Sequence, residues 1–395
     1  MKKNVFLLIC MCCVFILSQC SDNDSNDVEK PVNPEDTEDS FYTFTPFNPI
    51  DPIVPIKPFE YSSVAFIARI TENSGEWSLC TVDKEGNNMR KIVDKTLTCQ
   101  KPVCSYSGTK LLFSAIKADY NNYSYEYELY IVNVDGTGLT LIDRISSKES
   151  GYFGGADWFP DDSRIAYVRS YDDSWDKTRL ILYKIADDTH TILPTEGNVC
   201  NPDFSPDGTK IAYCSSDETL YSIDVLGINE NIYIMDINEN KNQLIIENGA
   251  SPKWSPSGEK IMYRTSGKDR SSQISVANAD GTDQKQLTST VSTEWWDTGF
   301  PRDGNSDPQW TPDGKKIVYV SYENDKPEIF IMDADGSNQT RLTEAGYRDE
   351  SPIVTPDDKH IIFNSRLSGI SIMTLDGKNR EVILTEDAAY PVACK

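Results

Sequence analysis

From Tyr61 onward the apolar residues come in short alternating or β-branched runs, separated by clusters of Pro, Asp, Ser and Gly. That pattern predicts half-buried strands joined by tight turns. The stretch DPQWTPDGKKIVYV, residues 307–320, carries it most clearly. Pro308 to Trp310 belong to one strand, Thr311-Pro312-Asp313-Gly314 to a turn, and Ile317 to Val320 to the next strand. Proline presets φ in such a turn, and Asp and Gly tolerate its left-handed geometry. Variants of the phrase begin at Lys101, Ala156, Asn201, Ser251 and Ser351. A third strand ending in a second turn follows, as in EIFIMDADGSN, QISVANADGTD, ELYIVNVDGTG and ISIMTLDGKN. A short fourth strand closes the unit: QTRLT, QKQLT, LTLID or EVILT. Asp-Gly between strands is a strong hairpin signal.

Each unit is thus a four-stranded antiparallel meander, and the units repeat at roughly 50 residues, the signature of a β-propeller. Residues 61–95 lack the phrase, but VAFIARI, WSLCTVDKEGNN and MRKIV fit strands two, three and four of a unit. At the other end, Tyr390-Pro391-Val392-Ala393 matches a first strand. The expected fold is all-β, a propeller over residues 60–395 with seven four-stranded blades, the C-terminal strand closing the N-terminal blade. Six blades with leftover ends is the alternative. The aromatic of the phrase recurs as Trp158, Phe204, Trp254 and Trp310, with Cys104 and Val354 in its place elsewhere. This position is expected to be core between blades.

The phrases resemble the propeller repeat of the TolB family, written P-x-[WF]-[ST]-P-[DS]-G-x-K-I-x-Y followed by I-[YF]-I-M-D-A-D-G-x-N-x-x-x-L-T. The resemblance implies the fold and leaves function open, because propellers host many activities. Residues 21–58 are too short and Pro-rich to match the α/β domain that precedes the propeller in TolB itself, so that protein's envelope role is not carried over.

The N-terminal MKKNVFLLICMCCVFILSQC changes the picture. Lys2 and Lys3 precede an apolar run from Val5 to Leu17, which is short for a membrane span and has the layout of a secretory signal. Leu17-Ser18-Gln19-Cys20 resembles a bacterial lipoprotein signal. This makes residues 1–19 the signal peptide and Cys20 the lipidation site, although Gln19 departs from the usual small residue. An uncleaved anchor is the alternative. The following SDNDSND resembles the surface-export signal of Bacteroidetes lipoproteins. Residues 20–59 are expected to form an acidic, Pro-rich linker, in which Phe41 to Phe59 could lie as an extended strap. The expected location is the bacterial outer membrane, lipid-anchored and surface-exposed, with its periplasmic side as the alternative. A net charge of −24 argues against a nucleic-acid partner and against electrostatic docking on anionic lipid. The lipid is therefore the expected membrane contact.

No cofactor or metal is expected. The chain carries no G-x-S-x-G phrase. Its two histidines, His190 and His360, belong to different blades, lack ligand spacing and read as surface residues. A pair of carboxylates could do acid–base work, but the sequence selects none. Cys200 and Cys214 flank one hairpin symmetrically and are a candidate disulfide; two small buried apolar residues is the other reading.

Tight turns leave one face of a propeller little room to vary. The long excursions fall on the other face: 114–128, 169–179, 215–231 and 289–308. They collect Tyr120, Tyr123, Tyr125, Tyr171, Trp175, Tyr221, Trp295, Trp296 and Phe300 among acids and amides. Variable loops on a rigid scaffold usually carry binding, and such mixtures suit a glycan, peptide or protein surface. Mutual packing of the rings is the competing account. The sequence is thus read as a non-catalytic binding propeller. A saccharide-active hydrolase or lyase using the same face and an envelope scaffold remain as alternatives.

Replacing Cys20→Ala should release the protein from the membrane fraction or leave it unprocessed. A processed variant that still sediments with membranes would overturn the lipidation site.

Overall fold

The computed structural model describes residues 61–69, 77–93, 98–119, 124–146, 151–171, 177–216, 230–266, 271–290, 304–323, 326–344, 346–385 and 388–394. The chain divides into Met1–Ser40 and Phe41–Lys395. The signal peptide, Cys20 and the linker lie outside the described residues.

Seven antiparallel sheets follow one another as blades. Blade 2 runs through Lys110–Asp119, Ser124–Asn133 and Thr140–Ile145, with its inner strand split into Thr98–Cys99 and Val103–Cys104. Blades 3 to 7 have inner strands Phe153–Trp158, Asn198–Phe204, Ala250–Trp254, Asn305–Trp310 and Asp349–Val354. Blade 1 contains Ser63–Ala68, Ser78–Asp83 and Arg90–Lys91, and its inner strand is the C-terminal Ala388–Cys394. The closing pair is antiparallel, with Ser63 opposite Cys394, Val64 opposite Ala393 and Ala68 opposite Ala388. The chain is therefore a seven-bladed ring shut by strands from both ends of the repeat region, not six blades with leftover ends.

The repeated phrase explains why each blade folds as it does. The fourth turn residue has positive φ at Gly108, Asp162, Gly208, Gly258, Gly314 and Asp358. Only Gly, or the short side chain of Asp, enters that region at low cost. In the strand that follows, every second residue points into the seam between blades. Phe66, Phe113, Tyr167, Tyr213, Tyr319 and Phe363 occupy one such position and are almost completely buried. Burying each stabilises the ring by about 2–3 kcal/mol. The second turn packs outward against the preceding blade. A Cβ added to Gly281 would lie 2.2 Å from the Ile245 carbonyl oxygen, so a side chain there would push two blades apart.

One expectation changes. The excursion in blade 2 is largely strand: its second and third strands pair from Lys110↔Asn133 out to Asp119↔Ser124. Tyr125 stands in the extended ladder opposite Ala118, so it is not a loop residue. Alternating Tyr and Glu along Tyr125–Glu128 gives the period of two that a strand requires.

Truncation after Thr385 removes the inner strand of blade 1 and leaves Ser63–Ala68 with an unpaired edge. The melting temperature should fall by about 10 °C or more. An unchanged melt in differential scanning calorimetry would contradict strand closure at this blade.

Candidate functional site

The inner strands meet neighbour to neighbour around the ring, and the phrase supplies the contacts. The Trp158 indole nitrogen donates to the Val103 carbonyl of blade 2 (3.1 Å), and that of Trp310 to the Lys253 carbonyl of blade 5 (3.5 Å). Phe204 meets Phe159 of blade 3 edge to face at 5.2 Å. The repeated aromatic thus fills the junction between blades, as its sequence position predicts. The first turns are joined too: the Asp162 carboxylate accepts from the Tyr106 and Ser107 N–H groups of the preceding blade, at 2.8 and 3.1 Å. That turn helps to hold the junction of blades 2 and 3.

The other face bears the second-to-third strand connections and the connections between blades. Between blades 3 and 4 it contains an open cavity of about 500 Å³. Arg179, Pro194, Thr195, Gly197, Asn198 and Ser216 line it, offering one cation, an amide, hydroxyls and a proline ring. Among the aromatics assigned to this face, Tyr125 is half-exposed and available. Tyr171 is partly buried, with the Arg169 guanidinium 4.8 Å above its ring, so it packs against its own blade. Tyr120, Tyr123, Trp175, Tyr221, Trp295, Trp296 and Phe300 lie outside the described residues.

A second group of polar residues stands where the inner strands of blades 3, 4 and 5 meet. Asp157 accepts the Phe204 N–H at 2.8 Å, and Asp203 accepts the Trp254 N–H at 2.7 Å. Asp203 also binds the Lys253 ammonium at 2.5 Å. Protein surrounds these groups, yet Asp157 and Lys253 still touch solvent. Burial first, and then the nearby Asp203 carboxylate, pushes the Asp157 carboxyl up to about 7, against the pull of Lys253 and two backbone donors. Such a carboxyl could hold or release a proton near neutrality. Its fixed task is to tie one blade to the next. The sequence signal lay in the variable position of P-x-[WF], where blades 3, 4 and 5 place Asp157, Asp203 and Lys253 in succession.

Cys200 and Cys214 are directly opposite in the first hairpin of blade 4, with Cα atoms 5.1 Å apart, and are joined as a disulfide. The buried Glu230 lies beside them, its carboxyl raised to about 7 by burial despite Arg264. The histidines are not the surface residues expected. His190 is half-buried, its ring 4.7 Å from that of Tyr183 and 6.4 Å from that of Tyr167, and burial lowers its pKa. His360 packs near Tyr61, ring centres 6.5 Å apart. Each sits in a strand whose neighbours supply an aromatic face, which a sequence without the tertiary fold does not reveal.

Fold and site together define a closed β-propeller with one structural face and one variable face. The family model described as the TolB beta propeller domain matches residues 106–391, and the chain belongs to that family. It is similar to the uncharacterized protein Atu1656 of Agrobacterium fabrum, 37% identical over 84 residues, which are 20% of this chain and 28% of that one. It is also similar to the Tol-Pal system protein TolB of Hahella chejuensis, 36% identical over 87 residues, 22% of this chain and 16% of that one. The matches thus span well under half of either relative. Among solved structures, an oligogalacturonate lyase in complex with manganese aligns over 82% of this chain and 85% of its own, with a TM-score of 0.53 and 15% identity. That likeness is one of fold alone.

Because the folded pKa of Asp157 lies above its unfolded value, the protonated form is favoured on folding. Its stabilising contribution is complete below about pH 4 and is lost as pH rises through about 7. Asp157→Asn should therefore gain on the parent by several degrees in melting temperature between pH 4 and pH 8. A difference that stays constant with pH would show that this carboxyl is not held protonated.

Proposed function

We propose that the chain is a non-catalytic binding propeller, held at the bacterial outer membrane by a lipid on Cys20, that takes a glycan, peptide or protein partner on its long-connection face. The observation carrying this reading is the division of labour between faces. The tight turns are bonded blade to blade, as Asp162 is to Tyr106 and Ser107. The opposite face holds the open cavity at Arg179, Asn198 and Ser216, and the repeat pattern assigns the long connections to that face. Connections on a rigid frame are where binding residues accumulate. The name of the Hahella chejuensis relative, a Tol-Pal system protein, supports an envelope setting.

A second reading, a saccharide-active hydrolase or lyase, draws on the raised Asp157 carboxyl beside Asp203. Both carboxylates already accept backbone N–H groups of the next blade, which favours a holding role.

A glycan array and a pull-down with the propeller would identify the ligand class, and each glycan bound would be checked for turnover. Replacing both Trp295 and Trp296 by Ala should weaken that binding by at least ~1–2 kcal/mol. The melting temperature should stay within a few degrees of the parent, since loop substitutions cost little. A large loss of stability with unaltered binding would make the pair structural, and turnover of a bound glycan would favour the enzymatic reading.

A further inference from the structure

One junction in the ring is built differently from the rest. At the other junctions two positions face each other: the residue after the aromatic in one blade, and the aromatic of the next. Blades 3 and 4 place Phe159 against Phe204 there. The corresponding residues at the other junctions are Ser105 and Trp158, Ser205 and Trp254, Ser255 and Trp310, Thr311 and Val354, and Thr355 and Ala393. The strand registers fix this equivalence: Cys104 stands opposite Leu111 as Trp158 stands opposite Ile165 and Phe204 opposite Ile211. At the junction of blades 1 and 2 the two positions are Cys394 and Cys104, with their sulfurs 2.7 Å apart.

We propose that Cys104 and Cys394 are a disulfide-forming pair that locks the closed ring, tying the C-terminal strand of blade 1 to the inner strand of blade 2. The two sulfurs are far closer than an ordinary contact between thiols. The lock also stands where the ring is closed by its last strand. The aromatic plug is missing here, as it is at the Val354 and Ala393 junctions, and the strand that carries Cys394 is held in its blade by the ladder with Ser63–Ala68 with no hairpin turn joining the two. A covalent tie across residues so distant in sequence removes much of the freedom of the opened chain.

The oxidation balances by thiol–disulfide exchange with an external small-molecule or protein disulfide. Cys104 is partly exposed, whereas Cys394 is buried and its thiol is raised well above the ordinary value by that burial and by Cys104. Being the more accessible of the two, the Cys104 sulfur attacks the external disulfide as its proton passes to solvent, giving a mixed disulfide and releasing one external thiol. The Cys394 sulfur, losing its own proton, then displaces the second external thiol and forms the Cys104–Cys394 bond. The protein gives up two hydrogens, and the external disulfide is reduced to two thiols.

The test uses the full chain with Cys200→Ser and Cys214→Ser, which removes the other bridge. The protein is incubated with oxidised glutathione, alkylated in denaturant without reductant, and digested. A peptide linking Cys104 to Cys394 is expected, and reduction should then lower the melting temperature by about 5 °C or more. Adding Cys394→Ser should abolish both the linked peptide and the effect of reductant. That variant is expected to fold, because Ser or Thr fills the equivalent position at Ser105, Ser205, Ser255, Thr311 and Thr355. Recovery of Cys104 and Cys394 as separately alkylated peptides after oxidation would overturn the proposal. So would a link from either one to Cys99 or Cys80, or a melt indifferent to reductant in the linked protein.

Discussion

The structure depends on one kind of contact: a side chain of an inner strand hydrogen-bonded to the backbone of the neighbouring blade. Asp157 binds the Phe204 N–H, Asp203 binds the Trp254 N–H, and the Trp158 indole binds the Val103 carbonyl. A blade alone is a small twisted sheet with both faces apolar and cannot persist in water. Packing against a neighbour buries those faces but fixes neither the distance nor the angle between sheets. A directional bond to a backbone group does. Such a bond contributes about 0.5–1.5 kcal/mol net, and among the described residues these bonds set the spacing at the junctions of blades 2 to 6.

The inner strands and first turns are bound to one another, so their residue types are confined to a few choices. Among the described residues some connections on the opposite face also bond across junctions, as where the Asp349 N–H donates to the Pro327 carbonyl and the Ser215 hydroxyl to the Glu196 carbonyl. The same frame recurs in a manganese-bound oligogalacturonate lyase at 15% identity, which shows how little of the sequence the frame demands. The cavity at Arg179 and Asn198 is lined jointly by strand ends of blades 3 and 4 and by the connection through Pro194, Thr195 and Gly197.

Much of the frame was legible because it is written locally. Gly208 and Gly314 mark turns by their backbone freedom, Ile211 and Tyr213 mark a pleat by their spacing, and Pro391 reveals a first strand stranded at the end of the chain. Contacts between blades leave no such period. Nothing in the order of residues says that Asp157 and Asp203 would stand together, or that His190 would be enclosed by Tyr167 and Tyr183, because these depend on which strands become neighbours. Tyr125 was misplaced for a related reason. A stretch of alternating Tyr and Glu satisfies a strand as well as a polar loop, and only its partner ladder decides between them. The candidate face was legible as a region, from the lengths of its connections. The cavity lining was not, since Arg179, Pro194 and Ser216 come from three separate elements of ordinary composition.

The sharing of blade 1 between both ends of the repeat region has a consequence in time. Among the described strands Ser63–Ala68 comes earliest in the chain, and its inner partner, Ala388–Cys394, comes latest. Until that partner docks, the strand has an edge whose N–H and C=O groups are unpaired within the ring. Contacts this distant in sequence also form slowly. Until the last strand docks, the ring keeps one open edge, so closure of blade 1 comes at the end of folding.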